Sequence, residues 1–168
     1  MELEIQLLTK EHHKKEFDCN NRKLNDYIKK YALQDHKRNY ARCYVLADKP
    51  DKKIYAFYTI STNSLEKNIL PENFVKKLPY DKMPVFLIGR FAVDKHFQGK
   101  GVGKFLLIEA LLQALNLSNK IGAFAVVVDP KDEKAKKFYK KNGFILLPGT
   151  GKMFIPIKTI EKLTKNEN

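Results

Sequence analysis

The chain has 168 residues, 43% of them hydrophobic, with 32 lysines and arginines against 19 acidic residues and a formal net charge of +13. That length suits a single domain over residues 1–168, and the apolar content excludes a disordered chain. No apolar run is long enough to span a bilayer, and the N-terminal MELEIQLLTKEHHKKEF lacks the apolar centre of a secretory signal, so a cytoplasmic protein without membrane attachment is expected.

Taken in chain order, residues 3–8 read as a first strand. Residues 21–39 read as a helix, with Leu24, Tyr27, Ile28 and Tyr31 at three- and four-residue spacings. Residues 41–47 and 54–61 read as two strands joined by Asp48-Lys49-Pro50-Asp51-Lys52, which is turn chemistry and predicts an antiparallel hairpin. Residues 64–83 form a less regular connection with Pro71 and Pro79, and a short helix is expected after Pro71. Residues 84–93 are mostly apolar and predict a central strand buried on both faces. Residues 101–116 follow as an amphipathic helix, its stripe formed by Phe105, Ile108, Leu112 and Leu115 and widened by Leu111 and Ala114.

Residues 123–128 read as a second buried strand. Asp129-Pro130 is expected to open a helix that runs to Lys141 and ends at Asn142-Gly143. Residues 144–147 and 153–157 close the pattern as strands around Pro148-Gly149-Thr150-Gly151. This order predicts an α/β fold in one domain, a mixed and mostly antiparallel central sheet with helices on both faces.

Cys19 and Cys43 belong to no C-x-x-C pair and are expected to be reduced thiols. His12, His13, His36 and His96 have no common metal-ligand spacing, so no metal site is expected. The strong positive charge favours an anionic partner, such as nucleic acid or a phosphorylated cofactor, or is an ordinary lysine-rich surface.

The segment Gln98-Gly99-Lys100-Gly101-Val102-Gly103-Lys104 lies between a buried strand and a helix. Glycines there let backbone N–H groups approach a phosphate, the helix N-terminus adds partial positive charge, and Lys100 and Lys104 add full charges. A P-loop would need Ser or Thr at 105, where Phe105 stands, and a Gly at 98. The Rossmann spacing fails as well, because Leu106 occupies the third glycine position. What fits is Q-x-x-G-x-G, as Gln98, Gly101 and Gly103.

That motif resembles the coenzyme A pyrophosphate loop of the GNAT superfamily of acetyltransferases. Further segments are similar to one branch of it, the GNAT toxins of bacterial toxin–antitoxin pairs. These are Ile88-Gly89-Arg90-Phe91-Ala92-Val93-Asp94, the A-x-x-F-Y-x-x-x-G-F pattern of residues 135–144, and Phe17-Asp18-Cys19-Asn20 with Leu24-Asn25-Asp26-Tyr27-Ile28. The resemblance covers residues 17–163. Asn25 departs from it, since the branch usually has Asp there, and no chemistry attaches to that position from the sequence.

The resemblance implies an acetyl-CoA-dependent N-acetyltransferase that acetylates the α-amino group of aminoacyl-tRNA and so blocks translation. It also implies a homodimer and a ribbon-helix-helix antitoxin. By the same resemblance, backbone groups of Phe91, Ala92 and Val93 hold the pantetheine, and Tyr139 is the catalytic acid that protonates the departing thiolate. Phe138 is then expected to be core and Tyr139 to project. Asp129 reads either as a helix cap or as a hydrogen-bond partner of pantetheine. Arg90 reads either as one half of an ion pair or as a contact to tRNA, while Lys37 and Arg38, with Arg42, form a basic cluster that could track a tRNA backbone.

No Glu lies in residues 85–93, where some superfamily members carry a base, and Asp94 is expected to cap the turn to Lys95. An α-amino group titrates near 8 and a lysine near 10.4, so a site without a base favours an aminoacyl ester or a protein N-terminus over lysine, each value being roughly that of a model compound. Two alternatives stand beside the tRNA reading. One is a GNAT enzyme acting on a protein N-terminus or a small amine; the other is a nucleic-acid-binding module without catalysis.

Overall fold

The computed structural model describes residues 1–166. Its elements run β1 (Leu3–Leu7), α1 (Arg22–Asp26), α2 (Ala32–Lys37), β2 (Arg42–Asp48), β3 (Ile54–Glu66), α3 (Glu72–Val75), β4 (Lys82–Val93), α4 (Val102–Ser118), β5 (Ala125–Val128), α5 (Glu133–Lys141), β6 (Ile145–Leu146), β7 (Met153–Pro156) and α6 (Ile157–Asn166). The strands join in one sheet in the order β1-β2-β3-β4-β5-β7-β6. The β1–β2, β2–β3, β5–β7 and β6–β7 pairs are antiparallel and β4–β5 is parallel, the mixed, mostly antiparallel sheet that the sequence predicts. The chain divides into two compact units, Met1–Ser61 with Gly89–Ala110, and Thr62–Ile88 with the residues from Leu111 on. No helix among the described residues is long and apolar enough to cross a membrane.

In the first unit, Phe17, Tyr27, Ile28, Val45 and Phe57 pack in one buried cluster with both cysteines. Burial pushes the Cys43 thiol up to about 12, so it stays protonated and behaves as a small apolar side chain. The helix expected over residues 21–39 forms in three parts. Asn21 caps it, its side-chain oxygen accepting from the Leu24 N–H at 3.0 Å. A π-helical turn, Tyr27–Tyr31, then joins α1 to α2. The wider turn lets the adjacent Tyr27 and Ile28 both reach the interior, which a regular helix does not favour. Arg42 finishes α2 by donating to the His36 carbonyl at 3.1 Å and to Asn39 Oδ1 at 2.8 Å. The β2–β3 hairpin forms as predicted, with Lys52 left-handed in its turn (φ +62°). β3 runs to Glu66, past the expected end at 61, because exposed Thr62, Asn63 and Ser64 continue the strand without an apolar pattern.

In the second unit, Leu65, Val85, Val127, Leu147 and Phe154 belong to one buried cluster, with Phe74 and Phe124 packed against it. β5 is buried at all four positions, as a strand covered on both faces should be. The short helix after Pro71 is α3. α5 starts later than predicted: Asp132, not Asp129, is its N-cap, accepting from the Ala135 N–H at 2.8 Å. Gly143, left-handed at φ +96°, ends it as expected. β6 is only two residues long, since the Leu147 N–H turns to the Lys152 carbonyl and closes the loop. α6 has no counterpart among the elements expected from the sequence. Its Ile157 and Ile160 are buried, a pattern diluted by the lysines between and after them.

Two burial expectations fail. α4 buries Leu106, Leu107, Ala110, Leu111 and Ala114, whereas Phe105 and Ile108 of the predicted stripe are 47% and 39% exposed. The helix is apolar on nearly every side, so spacing alone cannot choose its buried face. β4 is largely buried from Val85 to Ile88, but Gly89 and Arg90 are exposed. Its parallel register with β5 ends at Ile88↔Val128.

Candidate active site

The loop from β4 to α4 is built by side chains that hold backbone. Asp94, at the end of β4, is buried, and its Oδ1 accepts from the His96 N–H and pairs with His96 Nδ1, both at 2.9 Å. It thereby caps the turn Lys95–Phe97, as the sequence predicts, and is not placed as a base. The Phe97 ring stands edge-on to Tyr55 at 4.5 Å, and the Lys100 ammonium lies 5.6 Å from the Phe97 ring centre.

Gly99 and Gly101 are left-handed, at φ +74° and +83°. A Cβ on either would meet nothing within 4 Å, so the backbone conformation, not a neighbour, demands glycine there. Val102, Gly103 and Lys104 form the first turn of α4, where N–H groups lack intrahelical acceptors and the helix carries partial positive charge. Lys100 and Lys104 are exposed beside them. A row of backbone donors, two cations and open space fits a diphosphate. The Gln98 side chain faces elsewhere: its amide nitrogen donates to the Val93 carbonyl at 2.8 Å and, at 3.4 Å, to that of Cys19.

Of the strand residues before the loop, Ala92 is buried and Phe91 and Val93 are half-buried. Arg90 is not buried and has no carboxylate partner among the described residues, which removes the ion-pair reading. Its guanidinium carbon sits 3.9 Å from the Tyr27 ring centre, and its backbone N–H donates to Thr59 Oγ1 at 3.0 Å. The ring is itself fixed, since the Tyr27 hydroxyl donates to Asp35 Oδ2 at 2.9 Å. Burial and then the Asp35 carboxylate push the Tyr27 pKa up, so it remains a neutral phenol. Stacking leaves the guanidinium N–H groups available to an anion. The sequence does not single out Tyr27 as that support. Lys37 and Arg38 are exposed at the C-terminal end of α2, while Arg42, grouped with them in the sequence, is spent on the cap.

Tyr139 and Asp129 belong to the second unit. The expectation for the aromatic pair is reversed: Tyr139 is 6% exposed and Phe138 is only half-buried. The cause is the turn at Gly143, which brings Phe144 back so that its N–H donates to the Tyr139 carbonyl at 3.1 Å and its ring packs 5.2 Å from that of Tyr139. Burial pushes the Tyr139 pKa above the usual tyrosine value, so its hydroxyl is protonated throughout the neutral range and can donate. Asp129 is exposed directly after β5, and Asp132 relieves it of the cap. β4 itself carries no carboxylate.

Residues 39–146 match the family model of the acetyltransferase (GNAT) domain. A tRNA-acetylating toxin of Mycobacterium tuberculosis is 32% identical over 125 residues, which are 74% of this chain and 74% of that protein. The solved structure of a tyrosine-to-phenylalanine mutant of KacT is 30% identical, covers 97% of this chain and 99% of its own, and superposes with a TM-score of 0.92. The structure of AtaT complexed with acetyl-methionyl-tRNA superposes equally well, at 31% identity and the same coverage. AtaT has also been solved with its antitoxin AtaR and with acetyl-CoA. The glycine loop at the head of α4, the match over most of the chain and the common fold agree: this chain belongs to the GNAT acetyltransferase family.

Proposed function

We propose that the protein is a toxin, a single-domain enzyme that acetylates the α-amino group of aminoacyl-tRNA in the cytoplasm and so stops translation. The observation that carries this reading is the left-handed Gly99 and Gly101 beside Lys100 and Lys104 at the start of a long helix. Support also comes from relatives that modify tRNA or are bound to an acetylated one. In this reading the N–H groups of residues 99–104 hold the coenzyme pyrophosphate, and Lys100 and Lys104 neutralise it. Backbone groups of Phe91, Ala92 and Val93 align the pantetheine, and Asp129, relieved of the cap, accepts a hydrogen bond from it. Arg90, with Lys37 and Arg38, contacts tRNA phosphates.

Acetyl-CoA, when bound, supplies an acetyl group activated as a thioester. The chain's part is to orient that carbonyl against the amine and to manage one proton. As the nitrogen–carbon bond forms and the carbon–sulfur bond breaks, the Tyr139 hydroxyl gives its proton to the departing sulfur and is restored, through solvent, by the proton that the acylated nitrogen releases. An aminoacyl ester needs little help to lose its own proton, because its amine titrates at about 8 or below. This fits a β4 without a carboxylate. A ribbon-helix-helix antitoxin and a homodimer complete the proposal; that there is an antitoxin partner, of whatever class, is supported by the antitoxin complex of AtaT.

The test is transfer of label from acetyl-CoA to a pool of charged tRNAs, with the same pool deacylated as control. Label on charged tRNA alone, with arrest of cell-free translation, is expected. Label on protein N-termini instead would move the substrate to protein while leaving the acetyltransferase in place.

A further inference from the structure

The segment Phe17-Asp18-Cys19-Asn20 is held on two sides within the first unit. On the α1 side, Asn25 Oδ1 accepts from the Cys19 N–H at 2.9 Å and from its thiol at 3.2 Å, and Asn25 Nδ2 donates to Asp18 Oδ1 at 3.0 Å. On the loop side, Asp94 Oδ2 accepts from the Asp18 N–H at 3.2 Å. The Lys95 N–H donates to the Asp18 carbonyl at 2.7 Å, and the Lys95 ammonium lies 3.2 Å from Asp18 Oδ2. The Gln98 amide reaches the Cys19 carbonyl and, more closely, that of Val93. Phe17 roots the segment in the interior, 2% exposed and 5.5 Å from the Phe57 ring.

We propose that this segment is a brace for the glycine loop, in which Asp18, Asn25 and Gln98 are positioning residues that do not touch the coenzyme. The proposal rests on the reading of that loop as the pyrophosphate site. The Gln98 amide nitrogen donates to the Val93 carbonyl at 2.8 Å and approaches that of Cys19 at 3.4 Å, so this side chain is engaged with backbone before any coenzyme arrives. Gln98 therefore acts through the loop it opens. The loop needs such an anchor because Gly99 and Gly101 are the residues with the most conformational freedom to lose. A loop held in its binding shape before the ligand arrives spends less of the binding energy on ordering.

The brace also explains why position 25 is Asn here. An aspartate there would set a second carboxylate about 3 Å from Asp18 and remove the donor between them. The amide at 25 and the carboxylate at 18 are thus a matched pair.

The experiment is calorimetric titration of the whole protein with acetyl-CoA, each variant first shown folded by circular dichroism, followed by steady-state kinetics. Gln98→Met keeps the side-chain length and removes both donors; Asn25→Asp puts two carboxylates face to face. Each is expected to weaken acetyl-CoA binding by about tenfold, the loss of one or two hydrogen bonds. KM for acetyl-CoA should rise in step while kcat at saturation holds. The double variant Asp18→Asn with Asn25→Asp restores one amide against one carboxylate and should recover part of the affinity lost in Asn25→Asp, the Asn20 N–H and Lys95 still lacking the Asp18 carboxylate. A wild type that binds no acetyl-CoA overturns the reading of the loop and the brace with it. A wild type that binds, with Gln98→Met and Asn25→Asp binding equally well, or with no recovery in the double variant, overturns the brace alone.

Discussion

Replacing Gly101 by alanine probes the loop with a single methyl group. The added Cβ meets nothing within 4 Å, so no steric clash with the protein enters. What remains is the left-handed backbone, φ +83°, which costs an L-residue about 1–2 kcal/mol. If the loop keeps its shape, that strain appears as lost stability, a fall of about 2–8 °C in Tm for a chain of this size. If the loop relaxes instead, coenzyme binding must restore the shape, and the same energy appears as an acetyl-CoA Kd weaker by about 5- to 30-fold. Thermal unfolding and calorimetric titration of the same sample separate the two. Gly122→Ala is the control, because Gly122 has neither a left-handed backbone nor a neighbour within 4 Å. It should leave the Kd alone and stabilise by about 0.4–1 kcal/mol through the unfolded chain. A Gly101→Ala protein with both Tm and Kd of the wild type would refute the argument that the loop's conformation is what recognises the coenzyme.

Tyr139→Phe retains the buried ring and its packing on Phe138 and Phe144, so acetyl-CoA binding should persist while kcat falls by about a hundred- to ten-thousand-fold. A kcat close to that of the wild type would leave the enzyme without this acid. Lys37→Glu and Arg38→Glu should weaken tRNA binding and make its dependence on log salt shallower by about 0.7–0.9 for each phosphate that is no longer neutralised, with the acetyl-CoA Kd unchanged. Equal salt slopes in mutants and wild type would take these two residues off the tRNA path. The Asp18 carboxyl is drawn from 3.8 down to about 2, first by the Asn20 N–H and then by the Asn25 amide and Lys95. A carboxyl lowered on folding stabilises above its unfolded pKa and loses that contribution as pH falls, here between about 4 and about 2. Asp18→Asn should therefore show a smaller Tm loss than the wild type across that window, and identical acid profiles would contradict the assignment.

The parts of the fold that were legible in the sequence are those with one strong local cause. The hairpin turn at 48–52, the glycine loop, the buried run of β5 and the helix stop at Gly143 each follow from residue types that permit little else. Asp94 was legible for the same reason: a short side chain at the head of a turn caps it. What stayed illegible depends on partners distant in the chain. α4 is apolar all round, so its buried face is chosen by what packs on it and not by its own period. Tyr139 is more buried than Phe138 because Phe144 folds back over it, which no spacing inside α5 reveals. Asp132 takes the cap from Asp129 although both residue types suit a helix start, and only the fold decides between two such positions in one turn. Arg90 is not buried at all: it is exposed on β4 with its guanidinium over Tyr27, 63 positions earlier. The Asp18–Asn25 pair lay inside a recognised motif, but its chemistry needs Asp94, Lys95 and Gln98 beside it.

Transfer of the acetyl group to the α-amino nitrogen of an amino acid esterified to tRNA is tested most directly by the mass of the product. Charged tRNA is incubated with the protein and acetyl-CoA and digested with nuclease, and the released aminoacyl-adenosines are read by mass spectrometry. An N-acetylaminoacyl-adenosine is expected that is absent without protein, without acetyl-CoA or after deacylation, and strongly reduced with Tyr139→Phe. Aminoacyl-adenosines that all keep their unmodified mass, while acetyl-CoA is bound and consumed on another amine, would contradict this transfer.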